Sequence, residues 1–254
     1  MWVAFTNAAA GNLALHVGDD PADVARRRRE LDRAAGLGRQ GFQYMGFQYM
    51  NQVHGSEVAT IGPLPAGPAP TADALVSRGA ALAVMVADCV PVVLVGSAPG
   101  GGPVLGVVHA GRPGVASGVV PAAVARMREL GAEEISAWIG PSVCGRCYEV
   151  PADMRAEVAA VAPGTWCETS HGTPGLDLPA GVRHQLESAG VAVEYSGGCT
   201  LEDNELFSYR RDPATGRFAG LVWTGAGNGT DSWDGTNSWD GTNSGNGAGA
   251  ATDG

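Results

Sequence analysis

The chain has 254 residues, of which 44% are hydrophobic and 17% are charged, and this composition predicts a globular protein with a substantial core. Its 26 acidic residues outnumber its 16 basic residues, all of which are arginine. The acidic balance argues against a general attraction to nucleic acid or to an anionic membrane. A local cluster of arginines would still bind phosphate.

Neither the start of the chain nor its longest apolar run resembles a signal for export or for membrane insertion. Residues 1–6 lack a basic region followed by an apolar stretch, and the apolar run over 81–95 is interrupted by Asp88 and Pro91. Five cysteines, an odd number without an export signal, argue against a disulfide framework. We therefore expect a cytoplasmic protein whose cysteines serve in metal binding or catalysis.

Helix and strand patterns alternate along the chain. The first helix is predicted to start at Asp19-Asp20-Pro21 and to end at Gly36. A later helix is predicted to be capped by Ser117 and terminated by Gly131, and its apolar face contains Val120, Val124, Met127 and Leu130. The other predicted elements are strands over 81–86, 91–95, 104–108, 135–139, 191–195 and 217–223, and helices over 151–161 and after 177. The mixture of short crossovers and hairpin-sized gaps predicts an α+β fold with mixed sheets covered by helices.

Two segments have unusual composition. Residues 41–50 read GFQYM twice in succession, and we assign this repeat no function. From about Gly225 the chain is mostly Gly, Asn, Asp, Ser and Thr. Such a segment cannot bury enough apolar surface to offset its ordering entropy, so we predict one folded domain over 1–224 and a disordered tail over 225–254.

Three side chains are candidates for a metal site. His54 precedes a glycine, His109 ends an apolar strand-like run before Ala-Gly, and Cys89 lies between two predicted buried strands. Two imidazoles and one thiolate would leave a fourth tetrahedral position free, as in catalytic zinc sites. The same donors suit blue copper with an axial Met, but Met85 lies about 13 Å from Cys89 along an extended strand, which disfavours copper. Each histidine would otherwise be a hydrogen-bonded structural residue.

The remaining cysteines permit other interpretations. A nucleobase deaminase would carry H-x-E and P-C-x-x-C, and the sequence offers His54-Gly-Ser-Glu57 and Pro141-Ser-Val-Cys144-Gly-Arg-Cys147, each with unsuitable spacing. A redox C-x-x-C is a further alternative. We expect these cysteines to be small buried residues rather than ligands: Cys144, Cys147, Cys167 and Cys199.

Six motifs follow one another along the chain: NQVHGSEV, TADALVS, VMVADCVPVVL, GVVHAG, WIGPSVCGRCYEV and ELFSYRRDPATGRFAGLVW. In this order they resemble the motifs of the YfiH family, which is also called the laccase-domain or multicopper polyphenol oxidase family and is described as purine nucleoside phosphorylases. The resemblance covers residues 3 to 223. The resemblance implies a duplicated four-layer α/β/β/α sandwich and a zinc ion bound by His54, Cys89 and His109.

The implied activity is phosphorolysis of adenosine, inosine, guanosine and methylthioadenosine, with some adenosine deamination. Phosphate must be held against the sugar, and Arg210 and Arg211 are candidates for this role. Gln52, in the motif of His54, is a further predicted substrate-binding residue. Asp73 or Asp88 would transfer protons beside a catalytic Cys89. The alternatives are an exposed ion pair of the arginines with Asp212 and a turn-capping role for Asp73.

The sequence departs from the family pattern after His109, where Ala-Gly-Trp-Arg-Gly is replaced by Ala-Gly-Arg-Pro-Gly. Near the N-terminus, the basic residue that follows Phe-Thr-x is missing. Competing functions are a metal-free cysteine hydrolase using Cys89 with His109 or His54, a copper polyphenol oxidase, and a non-enzymatic metal-binding protein. We expect a monomer or a small homo-oligomer.

Overall fold

The computed structural model describes residues 1–40, 43–62 and 67–225. Its strands form a six-stranded sheet, a three-stranded sheet and two hairpins. The strands are β1 Trp2–Phe5, β2 Gly38–Gln40, β3 Gln43–Met45, β4 Val58–Ile61, β5 Ala74–Ser77, β6 Leu82–Val86, β7 Val90–Gly96, β8 Val104–Ala110, β9 Ile135–Ile139, β10 Trp166–Glu168, β11 Pro174–Leu176, β12 Ala192–Ser196 and β13 Phe218–Trp223. The helices are α1 Pro21–Ala34, α2 Arg112–Ser117, α3 Val119–Glu129, α4 Ala152–Val161 and α5 Leu178–Ser188.

The larger sheet has the strand order β12-β9-β7-β8-β5-β4 and is mixed. The two outer pairs, β12 with β9 and β4 with β5, are parallel, whereas the inner pairs are antiparallel. Strands β7 and β8 are buried along their whole length, which explains why their sequences read as continuous apolar runs rather than as alternating patterns. The centre of this sheet therefore lies inside the protein with both faces covered.

The smaller sheet has the antiparallel order β1-β13-β6. Trp2 pairs with Trp223, so the strand near the start of the chain lies beside the last described strand. Leu82 and Val84 of β6 face the larger sheet, whereas Ala83 belongs to a separate cluster with Leu31 of α1. This alternation is the period of two that a strand imposes on its side chains.

Three apolar clusters define the layers. One lies between the six-stranded sheet and the helices α2 to α5, a second between the two sheets, and a third between the smaller sheet and α1. The order is therefore helices, sheet, sheet, helix, and the predicted α+β class with mixed sheets is confirmed. The two sheets differ in strand number, and the internal duplication stays a prediction.

Most predicted helix boundaries are confirmed. The side chain of Asp20 accepts a hydrogen bond from the amide of Ala22 at the start of α1, and Gly36 adopts φ +70° just beyond its end. The predicted cap Ser117 was wrong, because this residue ends α2. Gly118, at φ +81°, separates α2 from α3. Glycine adopts this left-handed conformation readily, so Gly118 rather than Ser117 is the residue at which α2 ends and α3 begins.

Some predictions lie outside the described residues or are untested. Residues 41–42 of the first GFQYM copy and residues 226–254 of the tail are outside the described ranges. In the second copy, Phe47 and Met50 are buried core residues. No helix in the described ranges is long and apolar enough to cross a membrane. The domain boundary, the cytoplasmic location and the oligomeric state stay predictions.

Candidate active site

Three elements bring His54, Cys89 and His109 together. His54 lies in the loop before β4, Cys89 between β6 and β7, and His109 near the end of β8. One ligand atom from each residue lies within 4.8 Å of the other two. Cys89 Sγ is 3.7 Å from His54 Nε2, and the two imidazole centroids are 4.7 Å apart at an interplanar angle of 74°. The predicted convergence of these residues is therefore present.

Asp73 fixes the backbone that carries His54. His54 has φ +63°, an uncommon conformation for a residue with a side chain. The buried carboxylate of Asp73 accepts hydrogen bonds from the amides of Val53 at 3.2 Å, His54 at 2.9 Å and Gly55 at 2.6 Å. These bonds hold the turn in which His54 projects toward the other two residues.

The same carboxylate also orients His109. Asp73 Oδ1 lies 2.8 Å from His109 Nδ1, which leaves His109 Nε2 as the ring nitrogen available to a ligand. Burial would raise the pKa of Asp73, but the hydrogen bonds from His109 and from the Gly55 and His54 amides outweigh burial and lower it. These contacts favour the turn-capping and positioning role of Asp73, and its catalytic role stays a prediction.

Cys89 and His109 form a polarised pair. Burial opposes charge on the Cys89 thiol, but the adjacent His109 and His54 outweigh this effect and lower its pKa to about 6. Burial likewise opposes charge on His109, yet Cys89 and Asp73 raise the pKa of His109 to about 9. The site therefore favours a thiolate, the form of cysteine that binds metals and acts as a nucleophile.

Asp88 connects this cluster to a later part of the chain. It has φ +84° and is largely buried. Its carboxylate accepts hydrogen bonds from Thr200 Oγ1 at 2.6 Å and from the Arg210 amide at 2.7 Å. The contacts indicate that Asp88 holds the segment that follows β12, and direct proton transfer by Asp88 stays a prediction.

The neighbouring arginines have different surroundings. The guanidinium of Arg210 lies 4.3 Å from the centroid of the Tyr148 ring and borders the cavity beside Cys89. The guanidinium of Arg211 instead donates to the backbone carbonyls of Thr200, Asp203 and Leu206. The structure therefore brings Arg210 to the site, whereas the contacts of Arg211 favour a structural role over its predicted substrate binding.

Gln52 borders the same cavity, but its amide is paired with the backbone. Its Nε2 donates to the Met85 carbonyl at 2.6 Å, and its Oε1 accepts from the Met85 amide at 2.9 Å. The Met85 sulfur lies 3.4 Å from Arg28 Nη2, which places it against α1. Gln52 therefore fixes the end of β6, and its substrate-binding role stays a prediction.

The cavity has a volume of about 640 Å³, within the range typical of small-molecule sites. Sequence reasoning missed several of its residues: His16, Tyr148, Tyr209 and Arg217. Tyr148 and Tyr209 lie inside motifs quoted above, next to Cys147 and Arg210. Their place in these motifs was the sequence signal that could have identified them as residues of the cavity. His16 lies in no recognised motif. Burial, followed by the charge of Arg217, lowers the pKa of His16.

The residues around the cluster fit a zinc ion. A Cβ at Gly111 would lie 2.8 Å from His54 Cδ2 and 3.2 Å from Cys89 Sγ, so only glycine leaves the three donors undisturbed. The donor set of two imidazoles and one partly buried thiolate matches a catalytic zinc site with one coordination position to spare.

Three of the other cysteines differ from the prediction that they are small buried residues, since Cys144, Cys147 and Cys167 are partly exposed. Cys144, Cys147 and Cys199 lie together with Glu202 in a second cluster. The sequence could not show this, because Cys199 is 52 positions beyond Cys147. The two halves of the near-miss deaminase motif thus belong to separate clusters, which contradicts a single deaminase-type site.

Comparisons with known proteins agree on one family. The family described as "Multi-copper polyphenol oxidoreductase laccase" matches residues 3–225. A relative from Streptomyces griseus named "Purine nucleoside phosphorylase ORF3" is 50% identical over 219 residues, which cover 84% of this chain and 86% of the relative.

Solved structures show the same fold. The Neisseria meningitidis protein NMB0706 has 34% identity and a TM-score of 0.70, and the match covers 84% of this chain and 85% of that one. Bacillus licheniformis YfiH has 24% identity and a TM-score of 0.75, with coverage of 86% and 91%, and supports the fold alone. The chain therefore belongs to the family described as "Multi-copper polyphenol oxidoreductase laccase", as its resemblance to the YfiH family predicted.

Proposed function

We propose that this chain is a zinc-dependent purine nucleoside phosphorylase. The observation that carries the proposal is the convergence of His54, Cys89 and His109 on one cavity that also contains Arg210. The volume of about 640 Å³ suits a nucleoside together with phosphate. The name of the half-identical Streptomyces griseus relative supports the same reaction.

His54, Cys89 and His109 would hold the zinc ion. His109 would use Nε2, because its Nδ1 is engaged by Asp73. A hydrogen bond from the second ring nitrogen to a carboxylate is the usual way in which proteins orient a histidine ligand. When bound there, zinc supplies Lewis acidity toward an oxygen of phosphate or water.

Two arginines provide positive charge for phosphate. Arg210 lies over the Tyr148 ring, and Arg217 lies 5.7 Å from the centroid of the Tyr209 ring. Arg217 Nη1 also donates to the carbonyls of Thr215 at 2.8 Å and Gly216 at 3.0 Å, so one edge of its guanidinium is fixed. We assign phosphate to Arg210, with Arg217 as a second cation at the same cavity.

The aromatic residues suit the purine. Tyr148 and Tyr209 both border the cavity, and Tyr209 is 51% exposed, which places it at the opening. Stacking on an aromatic ring tolerates different purines because it depends on the ring face and not on one substituent. We therefore propose the broad substrate range adenosine, inosine, guanosine and methylthioadenosine.

The reaction requires a phosphate oxygen to form a bond to the sugar carbon while the bond from this carbon to the purine nitrogen breaks. Positive charge develops on the sugar and negative charge on the purine, and the leaving purine takes up the proton that the attacking hydrogen phosphate loses. Adenosine deamination would instead add water to the purine ring and release ammonia. For that second reaction Asp73 and Asp88 stay the predicted proton carriers.

A nucleoside panel assayed with and without phosphate tests the proposal. We expect ribose 1-phosphate and free base from inosine only when phosphate is present, and loss of turnover after treatment with a strong zinc chelator. Base release independent of phosphate would contradict phosphorolysis. Ammonia release from adenosine in the same panel would measure deamination.

Matched variants separate the metal from the phosphate contact. Cys89→Ser should lose turnover and the zinc held by His54, Cys89 and His109, whereas Cys167→Ser, at a partly exposed cysteine away from the cavity, should retain both. Arg210→Gln should raise the KM for phosphate, and Arg26→Gln on the exposed face of α1 should not. Unchanged phosphate KM in Arg210→Gln would contradict the phosphate assignment.

A metal-free cysteine hydrolase is a second candidate, favoured by the lowered pKa of Cys89 beside a His109 whose pKa is raised. Such a pair would act as nucleophile and acid-base partner. Activity that survives the chelator and is abolished by alkylation of Cys89 would support this alternative. Elemental analysis of the same preparation distinguishes zinc from copper, and a copper polyphenol oxidase would oxidise phenols and show copper absorbance.

A further inference from the structure

A second group of soft donors lies outside the cavity. Cys144, Cys147, Cys199 and Glu202 each offer one ligand atom, and these atoms all lie within 4.8 Å of one another. None of the four borders the cavity that contains Cys89. All three cysteines are free thiols.

The first two thiols are presented by a tight turn. The carbonyl of Cys144 accepts hydrogen bonds from the amides of Cys147 at 3.0 Å and of Tyr148 at 2.9 Å. This C-x-x-C turn has the spacing by which zinc-binding loops supply a pair of thiolates.

The third thiol comes from a distant segment and is prepared by backbone amides. The amide of Cys144 donates to Cys199 Sγ at 3.4 Å. Amide-to-sulfur bonds of this kind stabilise the thiolate that a metal requires.

The fourth donor is a carboxylate with its own charge partner. Cys147 Sγ lies 3.4 Å from Glu202 Oε1, and Arg146 Nη2 lies 3.5 Å from the same oxygen. Arg146 would offset part of the negative charge that three thiolates and a carboxylate bring to a divalent ion.

We propose that Cys144, Cys147, Cys199 and Glu202 bind a second zinc ion. Three thiolates and one carboxylate complete a tetrahedral set, so this site has no position for substrate and is structural. Sulfur donors select zinc over magnesium or calcium, which take oxygen ligands.

The second zinc site joins two segments that build the cavity. Tyr148 follows Cys147 directly and lies under the guanidinium of Arg210. Thr200 follows Cys199 directly and donates to the Asp88 carboxylate. Zinc at the second cluster would therefore fix the separation between the loop after β9 and the loop after β12, and with it the positions of Tyr148 and Arg210.

Elemental analysis of the full chain after zinc loading and desalting tests the site. We expect two zinc ions per chain in the wild type, one in Cys199→Ser, one in Cys89→Ser and none in the double variant. Cys167→Ser is the matched control and should keep two. One zinc in the wild type and none in Cys89→Ser would overturn the second site while leaving the first unaffected.

Thiol reactivity in the wild type provides a measurement that does not depend on a folded variant. Chelation should raise the alkylation rates of Cys144, Cys147 and Cys199 by roughly tenfold or more, since a metal-bound thiolate is blocked from reaction. A disulfide among the three thiols in the zinc-loaded protein, seen as a mass lower by two hydrogens, or equal rates with and without chelator, would overturn the proposal.

Discussion

Strained backbone marks the centre of the cavity. Among the described residues, His54 at φ +63° and Asp88 at φ +84° are the non-glycine residues with positive φ, and both border the cavity. Such conformations cost about 1–3 kcal/mol each and persist only where the surroundings enforce them. The carboxylates of Asp73 and Asp88 provide that enforcement through hydrogen bonds. The donors are therefore arranged by the protein before any ligand binds.

Replacement of Asp73 by Asn tests this arrangement. Asp73→Asn retains the shape of the side chain but substitutes an NH2 group for one oxygen that faces amide donors and His109 Nδ1. We expect zinc affinity to fall about 10- to 100-fold, as for other partners of metal-binding histidines. Competition with a chromophoric chelator measures the affinity. The exposed Asp153→Asn is the control, and equal affinities in the two variants would contradict the positioning role.

Gly111 supports a second prediction at the same scale. In Gly111→Ala the added methyl would lie 2.8 Å from His54 Cδ2 and 3.2 Å from Cys89 Sγ. We expect loss of activity and of the zinc held by His54, Cys89 and His109, and a decrease of about 1–3 kcal/mol in the free energy of unfolding from overpacking. Gly102→Ala, where a methyl meets no atom within 4 Å, should leave zinc content unchanged. Wild-type zinc content in Gly111→Ala would refute the assigned donors.

Hydrogen bonds between loops connect the elements that build the site. Asp88 lies between β6 and β7. Its carboxylate accepts hydrogen bonds from the Thr200 hydroxyl and the Arg210 amide, which both belong to the long segment between β12 and β13. The amide of Val143, after β9, donates to the Asp88 carbonyl at 3.0 Å. One residue thus connects three parts of the chain, and the order of the cavity depends on these few polar contacts.

Thr200→Val removes one of these contacts without changing the side-chain shape. Thr200 is fully buried, and its hydroxyl lies 2.6 Å from Asp88 Oδ1. Loss of a hydrogen bond to a buried carboxylate should lower the free energy of unfolding by about 1.5–3 kcal/mol and raise the KM for phosphate through displacement of Arg210. Urea unfolding and steady-state kinetics measure the two effects. The exposed Thr71→Val should change neither, and an equal response of both variants would exclude the role of Thr200.

The whole molecule depends on two sheets that bury each other. The second apolar cluster lies between them, and the first lies between the larger sheet and the helices α2 to α5. Strand β7 contributes to both clusters, since Val92 and Leu94 face the helices and Val93 faces the smaller sheet. Strand β7, which starts beside Cys89, is thus packed on both faces, and this packing restrains the position of the candidate metal-binding residue at its start.

Leu94→Ala tests the contribution of this core. Leu94 is fully buried, and its removal leaves a cavity beside Gly106 that the packed helices cannot close completely. We expect the free energy of unfolding to fall by about 2–5 kcal/mol. Urea unfolding of Leu15→Ala, whose side chain is 54% exposed, provides the control. A decrease in the free energy of unfolding smaller than that of the control would show that the core relaxes freely around β7.

Local sequence patterns determined the elements of this protein. Apolar runs marked β6 to β9, and capping residues such as Asp20 and Gly131 marked helix ends, because these signals act within a few residues. The three donors His54, Cys89 and His109 also emerged from motifs, since the chemistry of the side chains and their small neighbours is local. The break at Gly118 was missed because Ser117 and Gly118 are both plausible caps in isolation.

Tertiary structure decided which polar residues work together. Arg210 and Arg211 are adjacent in sequence, yet one faces the cavity and the other holds backbone carbonyls. Asp73 meets His109, and Cys147 meets Cys199, only because strands and loops distant in sequence pack against each other. Periodicity records which face of an element is apolar, but it carries no information about which distant side chain will lie opposite. That partner is determined by the packing of the complete chain.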